Sequence, residues 1–523
     1  MKYPTFLKQI RFLNKQQDYL VLILIACFWV GLLSVAGTLT SGYHLTDNHE
    51  FININNTLAF AGFWKTVSGI ENYYFQYRFA PVLFFMRVLM VQLFHLDFLS
   101  LSFFWLLLTI LTSWLLFKTV NNIGFRRITS VFFTLFIQVG YQSVLCWKLG
   151  LGETWGLLYL SVALYFLSKF YLTGKSLYDW LFLIFIIISA ACKESFYIFG
   201  PITLLVRFYL ISTKQNTSFF QTLKQSKLFL AIFITYYLFH FYVAFIIIGT
   251  NNIPGAFKAD LNFIKWIGFL ERDLIFKIIV IGLVLLFASK KLEIMHIKNN
   301  KQLQNLILIG VLCILIIVPQ LFVYSNLGIS ERYYIPFTIG LSLVVAYILD
   351  QLYQRKWLYF TYMAVLIVGI SWQTRVAYRS ARDFAIEGKS SNNWIKKAFE
   401  SSNEKSNFLL VTEPLVYSEW NNSIQIYFNH IGNRKNIYST EASTQSGLEK
   451  LYKDGPLTRS YYDTYNMLYK NMKFREQSAP VDIQCVLIFP ELEPDFLKRN
   501  IDWFNNSFYS RYESGQFIMY LKK

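Results

Sequence analysis

The chain has 523 residues, enough for roughly three or four soluble domains, but 55% are hydrophobic, only 15% are charged and the mean hydropathy is +0.38. This excludes a water-soluble surface and points to a polytopic membrane protein. Aromatic residues at 19% exclude a disordered chain, and the net charge of +18 marks cytoplasmic loops before it marks a nucleic-acid partner, which is not expected.

Apolar runs of spanning length lie at 19–40, 99–117, 128–146, 154–172, 178–192, 195–213, 228–249, 274–289, 304–324, 333–353 and 357–373. They predict about eleven transmembrane helices, in a cell (inner or plasma) membrane. The first run follows Lys2, Lys8, Arg11 and Lys15 but lacks a small-residue cleavage site, so it reads as a retained helix. With a cytoplasmic N-terminus, 19 Lys and Arg fall on inner segments and ten on the longer outer segments before residue 374, as the positive-inside rule requires. Of fourteen acidic residues in the same stretch, only Asp18, Asp179, Glu293 and Asp350 fall inside. Longer outer loops account for part of that asymmetry, and chemistry at the outer surface would account for the rest.

The first outer loop, 41–98, is too long for a turn. Its stretch from Ala80 to Leu96 is apolar except for Arg87, Gln92 and His95, which share one side of a helix. A helix lying along the outer leaflet is expected there, because a span would bury Arg87 at mid-bilayer. From about 374 to the end the sequence changes character. Short apolar runs (Phe408 to Val411, Cys485 to Phe489) alternate with helical patterns such as Pro494 to Asn505. They predict an extracytoplasmic α/β domain, 374–523, following a membrane domain, 1–373. Glu513-Ser-Gly-Gln516 reads as its last hairpin turn. The five cysteines are scattered without a C-x-x-C pair, so neither a disulfide framework nor a zinc knuckle is expected.

Chemistry is sought at the outer boundary. Asp47-Asn-His-Glu50 follows the first span, and a helical turn would bring Asp47 and Glu50 to one face beside His49. One carboxylate could take a proton from an acceptor while the others orient it, or Asp47, Glu50 and His49 could hold a divalent cation. The plainer reading is a helix cap at Thr46 or Asp47. Arg78, before Pro81, suits a lipid phosphate or a headgroup anchor. Lys148 and Glu153 flank a glycine-containing turn and could face a cavity or simply join two helices. Lys193 and Glu194 separate two apolar runs so closely that they must be paired or face a polar cavity. Arg332, with Tyr333, Tyr334 and Pro336, starts a span and is a natural phosphate ligand or interface anchor. No Gly-rich nucleotide loop, H-E-x-x-H or G-x-S-x-G is present.

The order of these features resembles the GT-C superfamily of polytopic glycosyltransferases, including bacterial members related to protein mannosyltransferases and the aminoarabinose transferases of lipid A. The shared elements are Asp47 and Glu50 at the head of the first outer loop, Arg78-Phe79-x-Pro81, Lys193-Glu194-Ser195, Arg332-Tyr333-Tyr334-x-Pro336 and a C-terminal α/β domain. This sequence departs from the adjacent Asp-Glu or Asp-x-Asp form by having Asn48-His49 between the acids. The resemblance implies transfer of one sugar from a polyprenyl-phosphate carrier to a glycan, lipid or protein acceptor at the outer face. It implies Asp47 as base, Glu50 as its support or a metal ligand, and Arg332, Arg78 and Lys193 at the donor phosphate, with His49, Glu194, Lys148, Glu153 and Tyr333 in support. An O-antigen-type polymerase or ligase would rely on outer arginines instead of an acidic motif. A lipid-linked glycan flippase would place ionisable residues at mid-bilayer and show repeats, and no repeat is found.

Overall fold

A computed structural model describes residues 3–46, 48–75, 78–248, 273–289, 301–324, 331–412, 414–441, 451–453, 475–477, 482–498 and 504–523. Among these, six helices are long and apolar enough to cross a membrane: Gln16–Ala36, Phe98–Asn122, Gly152–Thr173, Glu194–Gln215, Lys227–Ala244 and Arg332–Leu352. Five more apolar helices are shorter, Pro81–Phe94, Arg127–Gln138, Ser176–Ala190, Leu274–Ala288 and Asn305–Pro319. Several long apolar helices mark a membrane protein, but eleven full-length spans are not what the helix lengths show. The run 128–146 illustrates why. Its helix ends at Gln138, and the chain turns at Gly140, whose φ of +136° suits only glycine. The carbonyls freed by the break are satisfied locally: Gln142 donates to Phe136 O (3.1 Å) and Val139 O (2.9 Å), and Ser143 Oγ donates to Gln138 O (2.7 Å). Such capping is what lets a broken helix stay buried in an apolar protein.

The chain folds as two compact units. The first comprises residues 1–35, 74–84 and 104–381, the second 36–73, 85–103 and 382–523.

Within the first unit, Leu160, Phe182, Ile186, Phe196 and Phe233 belong to one apolar core and Ile275, Val345, Ile348 and Tyr362 to another. Ion pairs clip helix ends together around them. Asp18 takes Lys118 (2.5 Å) and Arg127 (3.1 Å), Asp350 takes Arg126 (2.7 Å), and Asp179 takes both Nε and Nη2 of the buried Arg207 (2.7 and 2.5 Å). The Arg207 guanidinium also lies 4.0 Å over the Phe229 ring. These three aspartates are the described acids assigned above to the inner side, and each has a structural employment.

The second unit is built on a sheet whose strands are β1 (Phe408–Thr412), β2 (Ile437–Glu441), β3 (Leu451–Lys453), β4 (Arg475–Gln477), β5 (Cys485–Ile488), β6 (Tyr509–Ser514) and β7 (Phe517–Lys522). Their order is β4-β3-β2-β1-β5-β7-β6, with β2, β1 and β5 parallel and the rest antiparallel. β1 and β5 are buried along their whole length, which is why their sequences are continuous apolar runs instead of alternating ones. β6 and β7 form the predicted hairpin, with Ser514 opposite Phe517 and the turn at Gly515 (φ +59°) and Gln516.

Part of the first outer loop completes this unit's core. Tyr43, Leu45 and Ile52 are buried with Trp394, Phe428, Leu487 and Phe517. The Tyr43 hydroxyl donates to Ser423 O (3.1 Å), and Asn392 Nδ2 donates to the carbonyls of Ser41 (3.0 Å) and Tyr43 (2.9 Å). His44 stacks on Phe384 at 3.6 Å between ring centroids and shares a hydrogen bond with Ser41 Oγ (2.8 Å).

Candidate functional site

The site begins with Gly152-Glu-Thr-Trp-Gly156 at the start of the helix Gly152–Thr173. Two glycines four apart let another backbone approach closely. A Cβ at Gly152 would lie 3.0 Å from Cys192 O, and one at Gly156 would overlap the Phe196 ring. Ser189 Oγ donates to Gly156 O (2.8 Å), fixing the same approach. The segment brought in is the break between the helices Ser176–Ala190 and Glu194–Tyr197, where Lys193 is extended and Glu194 opens the new helix. A third strand of chain, 78–80, is tied to the break by the Val82 N–H donating to Ala191 O (3.3 Å). The fourth contributor is the short turn Glu331–Tyr334, which packs against the turn 141–146 and leads into the helix Ile335–Leu352 with Pro336 in its first turn.

These four segments assemble one charged cluster. A single oxygen of Glu153, Oε1, lies 3.2 Å from Lys193 Nζ and 3.5 Å from Arg332 Nε. Arg78 Nε donates to Glu194 Oε1 at 2.7 Å. Glu153 and Lys193 side chains are only 3% and 5% exposed, whereas Arg78 and Arg332 are 27% and 25% exposed. The Tyr333 ring sits beside the two cations that share Glu153, 5.9 Å from Lys193 Nζ and 5.2 Å from Arg332 Cζ. Among the described side chains of this cluster three cations thus meet two carboxylates, a cation-rich set in a setting where burial strengthens its pull on an anion. The partly exposed arginines present the planar fork that suits phosphate oxygens.

Of the residues singled out from the sequence, Arg78, Glu153, Lys193, Glu194, Arg332 and Tyr333 come together here. Lys148 is half-buried just after the turn 141–146. Asp47 lies outside the described residues. His49 and Glu50 belong to the second unit, where Glu50 forms an ion pair with Arg87 and His49 is buried. Glu50 is therefore committed to a cation of its own. Among the described residues no three His, Cys, Asp or Glu side chains are grouped to hold a metal ion, and Asp47, the third member of the expected set, is not among them.

Two neighbours of the cluster had no sequence signal of their own. His240 stacks on Tyr197 (4.8 Å), meets Phe79 edge-on (5.2 Å) and lies 3.3 Å from the Tyr236 hydroxyl, so an aromatic group flanks Arg78 and Glu194. Asp273 caps the helix Leu274–Ala288 by accepting from Phe276 N (2.8 Å) and also accepts the Tyr334 hydroxyl, tying down the turn that carries Arg332. Either would have needed the fold, since the partners are distant in sequence.

No protein-family model matches the chain, and no curated protein matches it. Among solved structures it is similar to crystal structures of the oligosaccharyltransferase of Archaeoglobus fulgidus. For the complex with Zn and sulfate the identity is 12% and the TM-score 0.43, over 96% of this chain and 73% of that one. For the form tethered by a disulfide bond to an acceptor peptide containing the NVT sequon the values are 12% and 0.45, over 97% and 74%. For the apo form they are 11% and 0.45, over 97% and 74%.

Proposed function

We propose that this chain is a membrane glycosyltransferase that moves a single sugar from a polyprenyl-phosphate donor to a glycan, lipid or protein acceptor at the outer face of the cell membrane. The observation that carries this reading is the cation-rich cluster of Arg78, Lys193 and Arg332 around Glu153 and Glu194, set in apolar surroundings at helix ends. A lipid phosphate entering there gains charge-assisted hydrogen bonds, and its polyprenyl tail meets an apolar exterior.

In the proposed reaction an acceptor hydroxyl or amine attacks the anomeric carbon, and the bond from that carbon to the phosphate oxygen breaks. The electron pair leaves with the lipid phosphate, whose extra negative charge Arg332, Lys193 and Arg78 stabilise. Asp47 takes the proton from the acceptor. Glu50, paired with Arg87, supports the loop that carries Asp47, and no step is assigned to a metal.

The test compares surface glycans by mass spectrometry from cells carrying wild type, a deletion, Asp47→Asn and Arg332→Gln, with membrane levels checked. Loss of one sugar mass in all three altered strains supports the proposal. If the deletion removes a whole glycan chain instead, a polymerase or ligase of lipid-linked glycans takes its place. If the deletion alters a glycan and neither substitution does, the cluster and the acidic motif are structural.

A further inference from the structure

The helix Lys356–Glu400 runs unbroken for 45 residues, and its first half carries an outward stripe unrelated to the charged cluster. Trp357, Phe360, Ile367, Val368 and Trp372 are all exposed, Val368 to 69% and Trp372 to 56%. Apolar side chains so exposed on one helix are covered by lipid in a membrane protein. The two tryptophans close the apolar stripe at its two ends, about 22 Å apart along the helix, and tryptophan is the residue favoured where an apolar surface meets the headgroup layer. Basic residues follow outside each of them, Arg355 and Lys356 before Trp357, and Arg375 and Arg379 after Trp372.

Val368, Trp372, Arg375 and Arg379 are spaced by four, three and four, so they form one line on the helix surface. Arg375 and Arg379 are exposed, and among the described residues no carboxylate pairs with either. No acidic residue occurs anywhere between Asp350 and Asp383. The Arg375 guanidinium lies 5.9 Å over the Trp372 ring, which orients its fork along the stripe. A tryptophan closing an apolar stripe, with two exposed arginines in line beyond it and the nearest carboxylate on that line, Asp383, one turn past the second, matches the chemistry of a phosphodiester attached to a bilayer lipid.

We propose that Trp372, Arg375 and Arg379 form a docking face for the headgroup of an anionic membrane phospholipid. The face is separate from the donor cluster, and it holds whether or not the glycosyltransferase reading does. The test uses the full chain in mixed micelles of phosphatidylglycerol and phosphatidylcholine, with retained lipid read by native mass spectrometry. Wild type should retain phosphatidylglycerol preferentially. Arg375→Gln with Arg379→Gln should lower that retention roughly tenfold or more, the scale expected for two basic residues at an anionic surface, and leave phosphatidylcholine unchanged. Each single substitution should give a partial loss, which serves if the double variant misfolds. Equal phosphatidylglycerol retention by wild type and variants would overturn the proposal. So would displacement of the lipid by millimolar inorganic phosphate, which would make free phosphate the ligand.

Discussion

Lys193 Nζ and Arg332 Nε reach the same oxygen of Glu153, at 3.2 and 3.5 Å, although the two residues are far apart in sequence. One buried carboxylate therefore positions two cations, and this shared anchor sets the geometry proposed for the donor phosphate.

Removing that anchor should be costly. Glu153→Gln leaves the buried Lys193 ammonium without its counter-charge, and breaking one side of such a pair costs about 3–5 kcal/mol. Thermal unfolding in detergent should show a marked loss for Glu153→Gln and substantial recovery for Glu153→Gln with Lys193→Met. A single variant as stable as wild type would mean that the pair is not buried as described.

Glu50 gives the sharpest separation between a catalytic and a structural carboxylate. Its ion pair with Arg87 predicts that Glu50→Gln lowers stability and that Glu50→Gln with Arg87→Met restores much of it, with transfer activity following stability. If the double variant is stable and yet inactive, Glu50 has a direct part in the chemistry.

Much of the architecture was legible in the sequence. The runs Phe408 to Val411 and Cys485 to Phe489 declare buried parallel strands, and Ser514-Gly515 declares a hairpin, because these signals are local. Lys193 and Glu194 announce themselves as charges wedged between apolar runs. Their partners do not: Glu153 and Arg78 are brought in by the close approach at Gly152 and Gly156 and by the chain before Pro81. The break at Gly140 was hidden for a related reason, since apolar composition continues through it while the backbone groups are satisfied by Gln142 and Ser143. The pairing of Glu50 with Arg87 has no local signal, because Arg87 lies on another helix.

Tyr43 ties the first outer loop to the α/β core. Tyr43→Phe should cost about 1 kcal/mol for the lost buried hydrogen bond, and Tyr43→Ala about 3–5 kcal/mol, the range for emptying an aromatic site. Calorimetry of both variants checks the ratio; equal small effects would place Tyr43 outside the core.

Asp273 should make stability depend on pH. Burial pushes its carboxyl up from 3.8 to about 6. Between those values the folded chain holds the proton more tightly than the unfolded chain, so this group's contribution to stability falls as pH rises through the window and is level above it. Asp273→Asn should flatten that fall in melting temperatures taken from pH 4 to pH 7. An unchanged pH profile would rule out the shift.

The central claim is that the Arg78, Lys193 and Arg332 cluster binds a lipid phosphate. Its most direct measurement is the binding of a short-chain polyprenyl phosphate, with the matching polyprenol as control, to purified wild type and Arg332→Gln. The account predicts that wild type binds the phosphate and not the alcohol, and that Arg332→Gln weakens phosphate binding roughly tenfold or more while the fold is retained. Equal affinity of wild type for the phosphate and the alcohol, or of wild type and Arg332→Gln for the phosphate, would contradict it.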